Sequence, residues 1–455
     1  MGAVGTKTVQ TPLSLSALLD ELAKYIQQEF NSRQAELAVL APKSWLSLSL
    51  PLPSAWLAGV SLRGDVQWLA PQGIMALWAT GCVQVYHDVA HYRAEQAHWC
   101  GWGEAAPLTF FTLSSATEEV SLRLWQPQIL LRRDADDYSL TLYARPENKT
   151  STQILDAWRD AVSGLFAEID VGDAAVSKNH VLSVDISPTN ELWLAQVRSS
   201  TDAIRAGQFD KVVLARRLQA ELAQAVAIPA AMERLRQMYP TCYVVCMPWD
   251  KGQVLAATPE LLACKRDDEL ISHALAGTIR REEDVALEAL GQAAFFASAK
   301  EREEHDLVVA SIKRHMQTLC ARVEHAAVPA LMPLRFVQHL WTRIHGQLCT
   351  NIDLLDAVLA LHPTPAVLGM PAAAARDWLA HCGEQRDGLY TGVVGWLDTQ
   401  GDGDAVVVLR AAYLAERKAV LWAGAGIMAD SDPVAELAET ELKLQTMLEV
   451  LGSHR

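Results

Sequence analysis

The stretch "LDTQGDGDAV" (residues 397–406) is a short turn between two apolar, strand-like runs, and its reading decides the fold. Strands joined by so short a turn lie antiparallel, because parallel neighbours need a crossover of a dozen or more residues. Similar runs recur through the second half in "CYVVCMPW", "GQVLAATPELLACKR", "AVVVLRAAYL" and "KAVLWAGAGIM". They alternate with segments of helical periodicity at 285–322, 352–361 and 434–451. The pattern predicts an α+β class, a layered α/β arrangement with mainly antiparallel sheets flanked by helices, rather than a doubly wound parallel sheet.

The first half reads differently. Residues 12–38 carry Leu13, Leu15, Leu18, Leu19, Leu22 and Ile26 at amphipathic helical spacing. From 45 to 145 the chain is Trp-rich and strand-like, as in "GIMALWATGCVQVYH" and "YSLTLYARPE", and helical periodicity returns at 151–168 and 191–207. A length of 455 residues calls for two lobes or one large α/β unit.

Composition narrows the function class. Half of the residues are hydrophobic and the formal charge is −15, which excludes non-specific nucleic-acid binding and leaves an anionic substrate dependent on local cations or a metal. No apolar stretch reaches the roughly 20 residues of a membrane span, so no membrane role is expected. Eight cysteines without CxxC spacing are read as buried thiols of a reducing compartment. The start "MGAVGTKTVQ" has no apolar leader core, and its loose myristoylation-type match at Gly2 and Thr6 is set aside for an unmodified start. A cytoplasmic location follows, with a monomer or a weak homodimer allowed.

Several residues could carry chemistry. Lys211 stands among Phe209, Val212, Val213 and Leu214, either as an edge lysine reaching water or as a desolvated amine able to act as a base. Glu260 follows Pro259, which stiffens its mount at the end of an apolar strand. Gly277 and Thr278 form a small-residue turn open to close ligand approach. Glu304 shares a helical side with Leu307, Val308 and Ser311, and a carboxylate on such a stripe needs a cation or a metal. Asp432 and Pro433 read as a helix start, after which Glu436, Glu439 and Lys443 project from one side. They form either a capped surface helix or, with Glu304, an all-oxygen site for Mg²⁺. No GxGxxG follows a strand and no GxxxxGK[ST] is present, so "AGAGI" (423–427) is read as a tight turn whose N–H groups could hold a carboxylate.

Taken in order, "FDKVVLARR", "TPELL", "LAGT", "KEREEHDLVV", "LHPTPAVLGMP", "YTGVVGW", "GAGI" and "AELAETELK" resemble the motifs of the chorismate-utilising enzymes over about 200–450. The resemblance implies that family's fold, with 1–185 as its variable N-terminal part and 186–455 as the chorismate-binding catalytic region of one intertwined globular unit. It implies chorismate as substrate and Mg²⁺ as cofactor. Lys211 speaks against anthranilate synthase chemistry, Ala276 against the nucleophilic lysine of aminodeoxychorismate synthases, and Ala366 against the threonine usual in salicylate synthases. The combination resembles the isochorismate synthases, which serve menaquinone or siderophore biosynthesis.

In that chemistry Lys211, kept neutral by its surroundings, would activate the water that attacks C2 of chorismate, and protonated Glu260 would assist loss of the C4 hydroxyl. Glu304 and Glu439 would ligate Mg²⁺, with Glu436 helping. Arg410, Gly424 and Gly426 would bind a carboxylate, and Gly277, Thr278, His339, Tyr390, Gly392 and Lys443 would line the pocket. A salicylate synthase and a catalytically silent chorismate-binding protein are the alternatives.

Overall fold

The computed structural model describes residues 12–452 except 38–44, 104, 116, 118–120, 148, 169–179, 385 and 387, so the expectation for residues 1–11 lies outside the described residues. Two compact units emerge, Met1–Thr109 with Leu124–Val176, and Phe110–Arg123 with Ser177–Arg455.

In the first unit the helix Leu15–Ser32 starts where the Ser14 hydroxyl accepts from the Ala17 N–H, and it buries Leu18, Leu22, Ile26 and Phe30 along one stripe. Phe30 meets Trp158 edge-on at 5.5 Å, which ties this helix to the helix Ser151–Val162. That second helix stops earlier than its periodicity predicts, and Phe166–Glu168 is a strand. The Trp-rich text forms strands Val66–Leu69, Met75–Thr80, Ile129–Asp134, Asp137–Ala144, Trp45–Leu52 and Trp99–Trp102, hydrogen-bonded in that order. Only the last pair is parallel.

The second unit holds two antiparallel arrays. In one, strands run in the order Val181–Ser187, Lys211–Leu222, Lys418–Ile427, Ala411–Ala415, Gly252–Thr258 and Tyr243–Trp249. In the other the order is Cys320–His325, Val337–Leu348, Glu269–Arg280, Leu261–Arg266, Gly403–Val407 and Val393–Asp398. The 397–406 turn closes the hairpin expected of it, with Val393 opposite Val407 and Leu397 opposite Gly403. Mainly antiparallel sheets flanked by helices are what the hairpin reading predicts.

Helix Ala299–Met316 packs on strand Glu269–Arg280, and helix Pro433–Val450 packs on strand Lys418–Ile427. The second of these begins as its Asp–Pro start predicts, with Asp432 accepting from the Val434 and Ala435 N–H groups. The periodic segment 285–322 is two helices. Ser298 closes Val285–Ala297 and caps Ala299–Met316, and Cys320–His325 then turns to strand.

None of the eight cysteines is paired in a disulfide. Cys242, Cys246 and Cys320 are buried, whereas Cys82 and Cys349 are exposed, so the expectation of buried thiols holds for only part of the set. No helix among the described residues is long and apolar enough to cross a membrane.

Candidate active site

One cavity in the second unit is lined from both arrays and from two helices. Lys211 is the first residue of its strand, with Phe209 just outside it, and only 1% of the residue is exposed. Its Nζ lies 2.8 Å from Oε1 of Glu304, which reaches across from helix Ala299–Met316. Burial alone would raise the Glu304 pKa, but Lys211, with Lys300 and Lys443, more than offsets it and the carboxyl stays below its ordinary value. Where the sequence reading expects an amine kept neutral by its surroundings, the structure places Lys211 at hydrogen-bond distance from a carboxylate. Lys211 is no edge lysine reaching water.

Glu260 is held rigidly between strands Gly252–Thr258 and Leu261–Arg266. Its N–H donates to Thr258 Oγ1 at 3.2 Å and its carbonyl accepts from the Val407 N–H at 3.0 Å. The side chain is buried, and desolvation pushes its pKa up to about 7 against the pull of Lys211, the Thr364 hydroxyl, Lys443 and Arg410. A carboxyl in that state retains its proton near neutrality and can give it up.

The opposite wall carries Arg410, whose NH2 donates to His339 Nε2 at 2.8 Å. His339 Nδ1 lies 3.0 Å from the Gly277 carbonyl, which can only accept, so Nδ1 bears the proton and Nε2 is the acceptor. Burial, Arg410 and Lys443 push the imidazole pKa well below its ordinary value, in keeping with that neutral tautomer. Two residues of the wall without glycine's freedom, Thr391 (φ 62°) and Arg410 (φ 48°), adopt left-handed backbone. For a β-branched threonine this costs on the order of 1–2 kcal/mol and persists only where surrounding contacts enforce it.

Acidic and basic groups alternate around the mouth. Lys443 Nζ donates to Glu439 at 2.5 Å and to the Gly424 carbonyl at 2.8 Å, and the Thr278 hydroxyl donates to Glu439 at 3.0 Å. Lys300 Nζ donates to Glu436 at 2.8 Å, and Glu301 accepts from the Thr278 N–H at 3.1 Å. Burial and neighbouring Glu439 push Glu436 up to about 7, while burial and Glu304 raise Glu301. Four carboxylates, Glu301, Glu304, Glu436 and Glu439, thus share the ammonium groups of Lys211, Lys300 and Lys443, and the crowding of acids raises the proton affinity of Glu301 and Glu436. An all-oxygen, acid-rich set of this kind suits a hard divalent cation. Among the described residues no three acidic, histidine or cysteine side chains already converge as a metal cage.

The cavity brings together Lys211, Glu260, Gly277, Thr278, Glu304, His339, Tyr390, Arg410, Gly424, Gly426, Glu439 and Lys443, with Ala366 also in its wall. Glu436 lines an adjoining cleft that shares Thr278 and Glu439 with it. Gly392 is absent from the cavity wall, because it is needed elsewhere: a Cβ there would fall 2.4 Å from the Leu113 carbonyl oxygen. "AGAGI" is strand rather than a tight turn, with Ala215 opposite Gly424 and Val213 opposite Gly426. The far side of this strand pairs with Ala411–Ala415 only up to Leu421, so among the described residues no ladder covers that edge from 422 onward. At Gly426 a Cβ would sit 2.2 Å from Glu304 Oε1 and 2.9 Å from Lys211 Cε, so glycine is what allows the ion pair to form.

Sequence reasoning passed over Trp422, which stacks on Tyr390 at 5.8 Å, along with Thr364, Thr391, Glu301 and Lys300. Trp422 alternates with Gly424 and Gly426 on one face of its strand, a period-two signal that could have found it. The others carry no local signal.

Residues 86–452 match the family described as chorismate binding enzyme. The chain is 40% identical over 263 residues to the salicylate biosynthesis isochorismate synthase of Pseudomonas aeruginosa, covering 57% of this chain and 55% of the relative. It is 32% identical over 306 residues to isochorismate synthase MenF of Bacillus subtilis, covering 66% and 64%. The matched segments therefore span between about half and two thirds of these relatives' lengths. The solved structure of MenF, the menaquinone-specific isochorismate synthase from Escherichia coli, superposes with a TM-score of 0.78 at 25% identity, covering 94% of this chain and all of that one.

Proposed function

The chain belongs to the chorismate-binding enzyme family, and we propose that it is an isochorismate synthase, a Mg²⁺-dependent isomerase moving a hydroxyl of chorismate from C4 to C2. The observation that carries this reading is the placement of Lys211 and Glu260 in one cavity, where burial pushes the Glu260 carboxyl up to about 7.

Lys211 takes a proton from a water as its oxygen bonds to C2. The ring double bonds shift, and the C4 hydroxyl departs as water with the proton supplied by Glu260. For Lys211 to accept a proton, its pairing with Glu304 must open. Each group contributes roughly 10²–10⁴-fold as a positioned acid or base. Arg410, aimed by His339, offers a planar fork to a substrate carboxylate, and the uncovered edge at 422–427 offers further backbone donors. Glu304 and Glu439, with Glu436 beside them, would hold Mg²⁺, which when bound neutralises substrate carboxylate charge. The chemistry is assigned to region 186–455, and the product feeds menaquinone or siderophore biosynthesis.

Purified protein incubated with chorismate, with Mg²⁺ or with EDTA, tests this by chromatography of the products. A metal-dependent mixture of chorismate and isochorismate is the expected result. Salicylate with stoichiometric pyruvate would instead assign the protein to the salicylate synthases, and unchanged chorismate would overturn the reading.

A further inference from the structure

Behind the cavity wall lies a charged side chain that the reaction does not use. Arg386 has a side chain with 0% exposure, yet every one of its guanidinium nitrogens is engaged. Nε donates to Glu384 Oε1 at 2.7 Å, NH1 to the Val367 carbonyl at 2.5 Å and to Thr391 Oγ1 at 3.4 Å, and NH2 to the Val213 carbonyl at 2.6 Å. Glu384 Oε2 in turn accepts from the Ala215 N–H at 2.8 Å.

The three segments joined in this way all supply cavity walls. Val213 stands two residues beyond Lys211 on the same strand face, Val367 follows Ala366, and Thr391 follows Tyr390. The guanidinium carbon also lies 5.8 Å from the centre of the Tyr390 ring. Thr391 holds a left-handed backbone that needs such enforcement. A buried ion pair with this many backbone partners is a poor way to gain stability and a good way to fix geometry. Its fork directs one charge at three separate chain segments, which a lysine ammonium on a flexible stem cannot reproduce.

We infer that Arg386 is a positioning residue, which with Glu384 clamps the Lys211 strand, the Ala366 loop and the Tyr390–Thr391 turn at the separation the reaction requires. The inference rests on the isochorismate synthase reading for its catalytic consequence, whereas the clamp itself is independent of it.

The test uses the full chain with Arg386→Gln and, as the milder change, Arg386→Lys. Two measurements are made: steady-state kinetics with chorismate and Mg²⁺, and amide hydrogen exchange over 211–216, 364–370 and 389–392. Misplacing reacting groups by about 1 Å costs on the order of 10²-fold, so kcat per folded molecule should fall by that order with little change in KM. Exchange should accelerate in the three segments and nowhere else, and the lysine variant should not restore the rate. A folded variant with the wild-type kcat, or with unchanged exchange in those segments, overturns the inference. If wild-type protein leaves chorismate untouched, the functional reading fails and the catalytic consequence with it. The exchange data then decide the clamp alone.

Discussion

Replacing Glu260 with Gln should weaken the enzyme and strengthen the protein, the second effect only at high pH. Desolvation lifts the Glu260 carboxyl from 4.5 to about 7 in the fold. An unfolded chain releases this proton near the ordinary value, while the folded chain keeps it until the higher one. Across that interval the native state binds more protons than the unfolded state, so wild-type stability falls as pH rises. Each pKa step is worth 1.36 kcal/mol, and a rise from 4.5 to about 7 therefore removes about 3 kcal/mol, fully lost above about pH 7.

The amide of the Glu260→Gln variant cannot ionise and escapes this loss. Urea unfolding of both proteins should give similar stabilities near pH 4.5, and the variant should be ahead by about 3 kcal/mol at alkaline pH. Its turnover of chorismate should drop roughly 10²–10⁴-fold, because an amide donates no proton to the leaving hydroxyl. In the wild type the rate should decline on the alkaline side of about 7 for the same reason. A stability difference that does not change with pH would refute the reasoning, since it would mean that Glu260 is not held protonated by burial.

Three further substitutions probe the site. Gly426→Ala places a methyl group where Glu304 Oε1 and Lys211 Cε now lie, so one of these side chains must be displaced from its place in the cavity, and kcat should fall on the order of 10²-fold in a protein that still melts cooperatively. Arg410→Lys loses both the planar fork and the bond to His339, and the KM for chorismate should rise about tenfold for each 1.4 kcal/mol of lost binding. Ala366→Thr adds a hydroxyl to the cavity wall, and product analysis should show salicylate and pyruvate appearing beside isochorismate; an unchanged product spectrum would remove residue 366 from the determinants of outcome.

Features governed by neighbours along the chain were legible in the sequence. The 397–406 turn sets two apolar runs antiparallel, and Asp432 and Pro433 start a helix in the same way that they would in any chain. Motif order also points to many of the cavity residues, since each motif places its side chain through local strand or helix geometry. Local patterning is equally what misleads at "AGAGI". Two glycines look like a turn, and only the long-range partner strand from Lys211 makes them extended. Residues 285–322 look like one helix because periodicity does not register a single capping serine.

Electrostatic states were left to the tertiary structure. The partner of Lys211 is Glu304, which arrives on a helix from elsewhere in the chain, and the proton on Glu260 depends on how completely both arrays exclude water. Arg386 carries no motif of chemistry, and its place behind three wall segments exists only once they have folded together. Residue type and spacing act over a few residues, whereas desolvation and Coulomb terms sum over whatever the fold brings within a few ångströms. The amino-acid sequence by itself therefore determined which side chains could do this chemistry, and only the tertiary structure decided their protonation and their separation.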